Sequence, residues 1–253
     1  MTLPIALVTG GSRGIGRAIC RKLAIQGWHV VATGRDRAAL TETAENILAA
    51  GGRCDTVQCE ARDRDAIERC VAELLARHGR VDALVNNAGG GSVARPLSAE
   101  ALPDQEWVDT LDLNLTAAYR FCRAVVPAMK AARAGAIVMV SSVAAHTASN
   151  LSSAAYTAAK TGMVGFARHL AKELGPHGIR INTIAPGIVA SERVAQKYDT
   201  YTDAERSAML ARIPLGRIGT VDEVASVVAF LLSEGASYIQ GALIDVNGGL
   251  YMD

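Results

Sequence analysis

Short β-branched runs alternate with longer amphipathic stretches from one end of this chain to the other. Ile5–Thr9, His29–Thr33, Arg53–Gln58, Ala83–Asn86, Ala136–Ser141, Arg180–Ala185 and Leu243–Val246 read as strands, being brief, apolar and closed at Gly, Asn, Ser or Pro. The intervening stretches Gly14–Gln26, Arg37–Ala50, Asp63–His78, Gln105–Ala132, Ser152–Leu174 and Val221–Ser233 carry helical periodicity. Strict strand–helix alternation leaves few options. Parallel neighbours need crossover connections, and right-handed crossovers place helices on both sheet faces. An α/β fold is therefore expected, a doubly wound, Rossmann-type parallel sheet of about seven strands. Half of the 253 residues are hydrophobic and only 4% aromatic. Small aliphatic residues in that proportion suit strands covered on both faces. No linker or repeat interrupts the pattern, so residues 1–253 are expected to form a single domain.

One stretch breaks the rhythm. Ser191–Gly219 is polar, carries Tyr198 and Tyr201, and is too long for an ordinary connection. It leaves the carboxyl end of a strand, where open α/β sheets bind ligands, so 191–219 is expected to be a substrate lid. A net charge of +1 gives no reason to expect nucleic acid or an anionic membrane as partner. Five cysteines without a CxxC pair read as reduced packing residues. No basic leader or long apolar run precedes the first strand, so a cytoplasmic protein without a membrane span is expected. His29, His78, His146, His169 and His177 show no ligand spacing, and no metal is expected. His146 follows a serine of interest closely enough that a substrate contact stays open.

Thr9-Gly10-Gly11-Ser12-Arg13-Gly14-Ile15-Gly16 ends the first strand and opens the first helix. A helix N-terminus presents unpaired N–H groups and a positive dipole end, which suits a pyrophosphate. The spacing is GxxxGxG, which differs from the common GxGxxG fingerprint and could also be a tight turn alone. Further along, Tyr156 and Lys160 are i and i+4 on one helix face. A nearby ammonium favours phenolate, so such a pair can donate or accept a proton near neutrality. On spacing alone it would more often be a surface pair. The fifth strand ends at Ser141-Ser142, and a hydroxyl there can donate to a substrate carbonyl oxygen. Asn114 falls mid-helix, where asparagine is a mediocre helix former and could simply mark a kink.

TGxxxGxG at 9–16, Asn86-Asn87-Ala88-Gly89 and Tyr156-x-x-x-Lys160 together resemble the short-chain dehydrogenase/reductase family, in its order and spacing, over nearly the whole chain. The resemblance implies a hydride transfer between a nicotinamide cofactor and a ketone or secondary alcohol. It implies a catalytic tetrad of Asn114, Ser142, Tyr156 and Lys160, with Ser142 preferred to Ser141. Asn114 would hold a water in a proton relay, and Lys160 would also bond the nicotinamide ribose. Gly10, Ser12, Arg13, Gly14, Ile15 and Gly16 would form the cofactor turn. Asn87, Ala88 and Gly89 would support the adenine side, with Glu60-Ala61 replacing the family's usual Asp-Val. Pro186, Gly187 and Val189 would pass close to the nicotinamide. Ser191, where the family commonly has threonine, would bond the carboxamide or a phosphate, or be a plain loop serine.

The cofactor reading rests on the second strand's end. An NAD enzyme keeps an acid there for the ribose 2′-hydroxyl. Here the position falls on Gly34, and Arg35 follows it. Arg35 and Arg13 suit a 2′-phosphate, because guanidinium pairs with phosphate in a fork. NADP(H) is therefore expected; the alternative is that Arg35 is a solvated residue paired with Asp36. Ile213–Arg217 and Val246–Met252 are similar to bacterial 3-oxoacyl-(acyl carrier protein) reductases, implying a 3-oxoacyl thioester, carrier- or CoA-linked. A dehydrogenase or carbonyl reductase of sugars, polyols or cyclic ketones is the alternative, and a non-catalytic NADP-sensing protein a third. By the same resemblance, Arg133 and His177 stand where those reductases keep basic groups for an acidic carrier beside the active-site mouth. His177 replaces an arginine, which weakens that docking charge. The loop Gly90–Asp104, with Arg95 and Pro96, looks longer than in those reductases. The family's helix pairing implies a homotetramer, and Val224, Val227, Val228, Phe230 and Leu231 make the last helix unusually apolar.

Overall fold

The computed structural model describes residues 3–90, 98–147, 152–198 and 200–252. In chain order the elements are β1 (Ile5–Thr9), α1 (Gly14–Ile25), β2 (His29–Gly34), α2 (Arg37–Ala49), β3 (Arg53–Gln58), α3 (Arg64–His78), β4 (Ala83–Asn86), α4 (Asp104–Leu111) and α5 (Ala117–Ala132). They continue with β5 (Gly135–Val140), α6 (Ala154–Leu174), β6 (Ile179–Pro186), β7 (Val189–Ala190), α7 (Glu192–Tyr198), α8 (Asp203–Leu210), β8 (Gly219–Thr220), α9 (Val221–Leu232) and β9 (Leu243–Val246). Seven strands form one parallel sheet in the order β3-β2-β1-β4-β5-β6-β9, the doubly wound arrangement that the alternation predicts.

Burial explains the register. Every residue of β1 is buried, because helices cover both sides of the sheet. Side-chain alternation sends Ala6 and Val8 toward α1 and α9, where Ile19, Leu23, Val224 and Val228 pack. Ile5 and Leu7 face α3, α5 and α6, among Ile67, Leu74, Phe121, Met129 and Met163. Strand order reverses direction between β1 and β4, the switch point where the loops diverge and leave a crevice.

Three expectations change in detail. The helical stretch predicted over 105–132 is not one continuous α-helix: a π turn at Asp112–Thr116 separates α4 from α5. The 191–219 stretch is not a bare loop. It holds α7 and α8, and it is tied back at its end where β8 pairs with β7, Val189 opposite Gly219. Finally, most of the apolar excess of α9 is used inside the chain. Val224, Val228 and Leu231 are buried and Val227 partly so, while Phe230 stays 46% exposed.

Candidate active site

The cleft opens at the carboxyl ends of β1, β2, β4, β5 and β6 and encloses about 560 Å³, within the range of small-molecule sites. All the residues expected to touch cofactor line this one cleft: Gly10, Ser12, Arg13, Gly14, Ile15, Gly16, Arg35, Glu60, Ala61, Asn87, Ala88, Gly89, Tyr156, Lys160, Pro186, Gly187, Val189 and Ser191. Ser142 lines it too, and Asn114 lies fully buried behind it.

The glycine turn is built for close backbone approach. Gly10 and Gly14 have φ of 66° and 52°, in the left-handed region. A Cβ on Gly16 would lie 2.0 Å from the Gly10 carbonyl oxygen, so no larger residue fits there. Arg13 precedes α1 without a side-chain cap, and the first turn holds no acid. The helix N-terminus is therefore left for an anion from outside the helix, and the residues present fit the pyrophosphate of a dinucleotide. Asn87 acts on this turn: its Nδ2 donates to the Thr9 and Gly10 carbonyls at 2.9 and 3.2 Å. Thr9, which the motif reading passed over, binds the two loops together by accepting from the Asn87 and Ala88 N–H groups at 3.0 and 2.9 Å.

At the end of β2, a Cβ on Gly34 would stand 3.2 Å from Ser12 Oγ, which crowds the place where an acid would have to sit. Arg13 and Arg35 flank it with side chains 63% and 66% exposed. Asp36 pairs with Arg13, and Arg35 Nη1 lies 3.8 Å from Glu60 Oε2, so the expected alternative of an Arg35–Asp36 pair is not what forms. The Ala39 N–H, aided by the Arg13 charge, holds the Asp36 carboxyl below its usual value. Glu60 also accepts from the Arg62 N–H at 3.1 Å.

At the reacting end, α6 presents Tyr156 and Lys160 one turn apart, with the ammonium 5.7 Å from the phenol ring centroid. Lys160 is buried and its Nζ donates to the Val140 carbonyl at 2.9 Å. Ser141 Oγ donates to the Lys160 carbonyl at 2.9 Å and is buried, which assigns it to holding α6 against β5. Ser142, half-buried, caps the next turn by accepting from the Ala144 N–H at 3.2 Å, and it is among the residues lining the cleft. Asn114 sits in the π turn, a distortion that often marks functional positions. Its amide brackets Gly90, donating to the carbonyl at 3.0 Å and accepting from the N–H at 2.8 Å. A Cβ on Gly89 would meet Asn114 Oδ1 at 2.6 Å and Lys160 Nζ at 3.2 Å, so both groups border one small space.

Other expectations do not meet at the site. His146 stacks on Tyr251, with ring centroids 4.5 Å apart, and its Nε2 lies 3.1 Å from Asp245. It is not among the residues lining the cleft. Arg133 and His177 come close, Arg133 donating to the Pro176 carbonyl at 3.1 Å. They precede β5 and β6, however, whereas Ser142 follows β5. The expectation that they flank the mouth of their own cleft is overturned by strand direction, which puts about 20 Å of β5 between them. Residues 91–97, which include Arg95 and Pro96 of the entrance loop, lie outside the described residues. His29 and His78, which spacing gave no reason to associate, meet at Asp55.

Tyr156 and Lys160 line one cleft with the glycine turn, and the chain belongs to the short-chain dehydrogenase/reductase family of oxidoreductases acting on CH–OH and keto groups. Residues 10–251 match the family model described as enoyl-(acyl carrier protein) reductase. The chain is 40% identical over 251 residues to the 3-oxoacyl-[acyl-carrier-protein] reductase of Salmonella typhimurium, covering 98% of this chain and 97% of the relative. Its identity to the enzyme of that name from Pseudomonas aeruginosa is 36% over 248 residues, with the same coverage. Among solved structures, an actinorhodin polyketide ketoreductase variant with NADPH superposes with a TM-score of 0.92 at 33% identity, covering 98% of this chain and 97% of that one. A 3-oxoacyl-[acyl-carrier protein] reductase of Brucella melitensis with bound NAD gives 0.90 at 34%, covering 99% and 92%. Among the described residues no helix is long and apolar enough to cross a membrane.

Proposed function

We propose that this chain reduces the ketone of a 3-oxoacyl thioester with NADPH. The observation that carries the reading is the meeting of Ser142, Tyr156 and Lys160 at one end of a cleft whose other end holds Arg13 and Arg35. The names of the full-length relatives favour a 3-oxoacyl over an enoyl substrate. A bound nicotinamide supplies the hydride. The Tyr156 hydroxyl gives its proton to the carbonyl oxygen as negative charge grows there. Ser142 Oγ donates a hydrogen bond to the same oxygen, in the manner of an oxyanion hole. The Lys160 ammonium favours the phenolate left behind and bonds the nicotinamide ribose. Asn114 holds a water that returns a proton toward Lys160. Gly10, Gly14, Ile15 and Gly16 hold the pyrophosphate, and Pro186, Gly187, Val189 and Ser191 border the nicotinamide.

Arg13 and Arg35 support NADP(H) over NAD(H), because both guanidinium-bearing residues line the cleft beside Gly34, which carries no carboxylate for a ribose 2′-hydroxyl. Residues 1–253 act as one domain, with 191–219 as its lid. A cytoplasmic homotetramer is the assembly that the sequence resemblance implies, and Phe230 on α9, 46% exposed, is an apolar group available for subunit contact. A carrier-independent carbonyl reductase is the second reading, favoured by Arg133 and His177 lying away from this chain's own cleft. Nicotinamide absorbance, followed with 3-oxoacyl-CoA, simple ketones and sugars against each cofactor, tests both. Reduction of the thioester with an NADPH preference supports the proposal. Turnover confined to sugars or polyols, or an NADH preference, refutes it.

A further inference from the structure

The fold assembles a cluster that hydride transfer does not use. His29 opens β2, Asp55 lies in β3 and His78 closes α3. In the paired register Val31 stands opposite Asp55, and Val31 packs with the α3 residues Ile67, Val71 and Leu74. Side-chain alternation therefore puts His29, Val31 and Asp55 on the face that α3 covers, and the last residue of α3 reaches the same spot. Both imidazole Nε2 atoms converge on one oxygen, Asp55 Oδ2, at 3.1 and 3.0 Å. The two rings meet edge to face, 4.6 Å between centroids. Gaps of 26 and 23 residues hid this grouping from any spacing rule.

We propose that His29, Asp55 and His78 form a binding site for a Zn²⁺-type divalent cation. Tetrahedral zinc with bonds of about 2.0–2.1 Å sets its ligand atoms about 3.3 Å apart. The two N–O separations fall about 0.3 Å short of that, an adjustment that small side-chain rotations supply. All three ligand atoms lie within 4.8 Å of one another, so they can occupy three corners around one ion. The side chains of His29, Asp55 and His78 are 24%, 26% and 11% exposed, which leaves the fourth corner to water. Two imidazoles with a single carboxylate select zinc, cobalt, nickel or copper over magnesium or calcium, which prefer oxygen.

One group opposes the ion. Arg77 Nη1 stands 3.5 Å from Asp55 Oδ2 and competes for that carboxylate. It has somewhere to go, because its Nη2 already lies 2.9 Å from Glu73 one turn back. The site is remote from catalysis. β2 runs from His29 to Gly34 at the cleft, five steps of about 3.3 Å, or about 16 Å. A bound ion would join β2, β3 and α3 at the sheet edge and leave the reacting groups alone.

The test uses full-length protein without a polyhistidine tag, freed of metal by a chelator that is then removed. Zn²⁺ is titrated in competition with a chromogenic chelator. One saturable equivalent is expected, weakened at least about tenfold in His29→Gln and in His78→Gln. Arg77→Gln should bind more tightly than the parent, and ketone turnover should be unchanged in all three. No saturable equivalent, or one that survives both histidine variants because it sits on cysteines or elsewhere, overturns the proposal. A readout that needs no variant is imidazole NMR, in which two of the five histidines should shift with the first equivalent; shifts in neither, or in all five alike, overturn it as well.

Discussion

Gly89→Ala tests the packing behind the reacting groups. The added methyl carbon would stand 2.6 Å from Asn114 Oδ1 and 3.2 Å from Lys160 Nζ. The first distance is far inside contact, and Asn114 has nowhere to retreat, being fully buried. To make room, its amide must give up its two bonds with Gly90, now at 2.8 and 3.0 Å. Each such bond contributes about 0.5–1.5 kcal/mol net, so the pair is worth about 1–3 kcal/mol. In a domain of this size that lowers the thermal midpoint by roughly 2–12 °C. If the displaced groups serve the proton relay, the same energy lost at the transition state lowers turnover roughly 5–150-fold. Scanning calorimetry and initial rates on one ketone read both. Asn114→Ala vacates the space, so Gly89→Ala should cost little in that background, and the double-mutant cycle should show strong coupling. Full turnover and an unmoved midpoint in Gly89→Ala, or additivity in the cycle, would refute the reasoning.

Three further outcomes follow from the geometry. Arg35→Ala should weaken NADPH roughly 10–150-fold, from one charge-assisted bond of about 1.5–3 kcal/mol, and leave NADH nearly unchanged; Kd values for both cofactors by fluorescence titration check this. Glu192, which lines the cleft with its carboxylate 3.4 Å from a Cβ built on Gly14, stands close to where pyrophosphate charge would lie. Glu192→Gln should tighten NADPH several-fold at low salt and less at high salt, and unchanged affinity at both would contradict it. Carrier-bound and short free thioesters should show comparable kcat/KM, since Arg133 and His177 are not beside this chain's cleft. A several-hundred-fold carrier preference lost in Arg133→Glu would show that this pair docks the carrier all the same.

The sheet was legible because period-two and helical patterns alternate strictly and each strand is buried, so a wrong assignment would have exposed an apolar face. Strands β1, β3, β4 and β9 begin and end where the pattern puts them. The glycine turn after β1 and the Tyr156–Lys160 pair on one helix were legible as structural features because both are local in sequence. What escaped was non-local or geometric. Asparagine at 114 signalled a defect in the helix, but the bonds that its amide makes with the Gly90 backbone, 24 residues away, are not encoded in local periodicity. Thr9 looked like the end of a strand, and its two accepted bonds come from a loop 78 and 79 residues away. The His29–Asp55–His78 grouping depends on strand register and on where α3 ends, neither of which spacing encodes. Arg133 was misplaced because its role was carried over from the resemblance, although its place before β5 puts it at the strand's amino end, opposite the cleft.

Replacement of the Tyr156 hydroxyl tests the central claim most directly. Tyr156→Phe keeps the ring beside Lys160 and removes only the proton. Loss of general acid catalysis should lower kcat roughly 10²–10⁴-fold. NADPH affinity should hold, because the ribose contact is assigned to Lys160; Lys160→Ala, in contrast, should weaken both turnover and cofactor binding. The measurement is single-turnover oxidation of enzyme-bound NADPH by the best ketone substrate, with Kd for the cofactor determined on the same preparation. A slow step in Tyr156→Phe with cofactor affinity intact is the expected result, and near-normal turnover would contradict the assignment of Tyr156 as the proton donor.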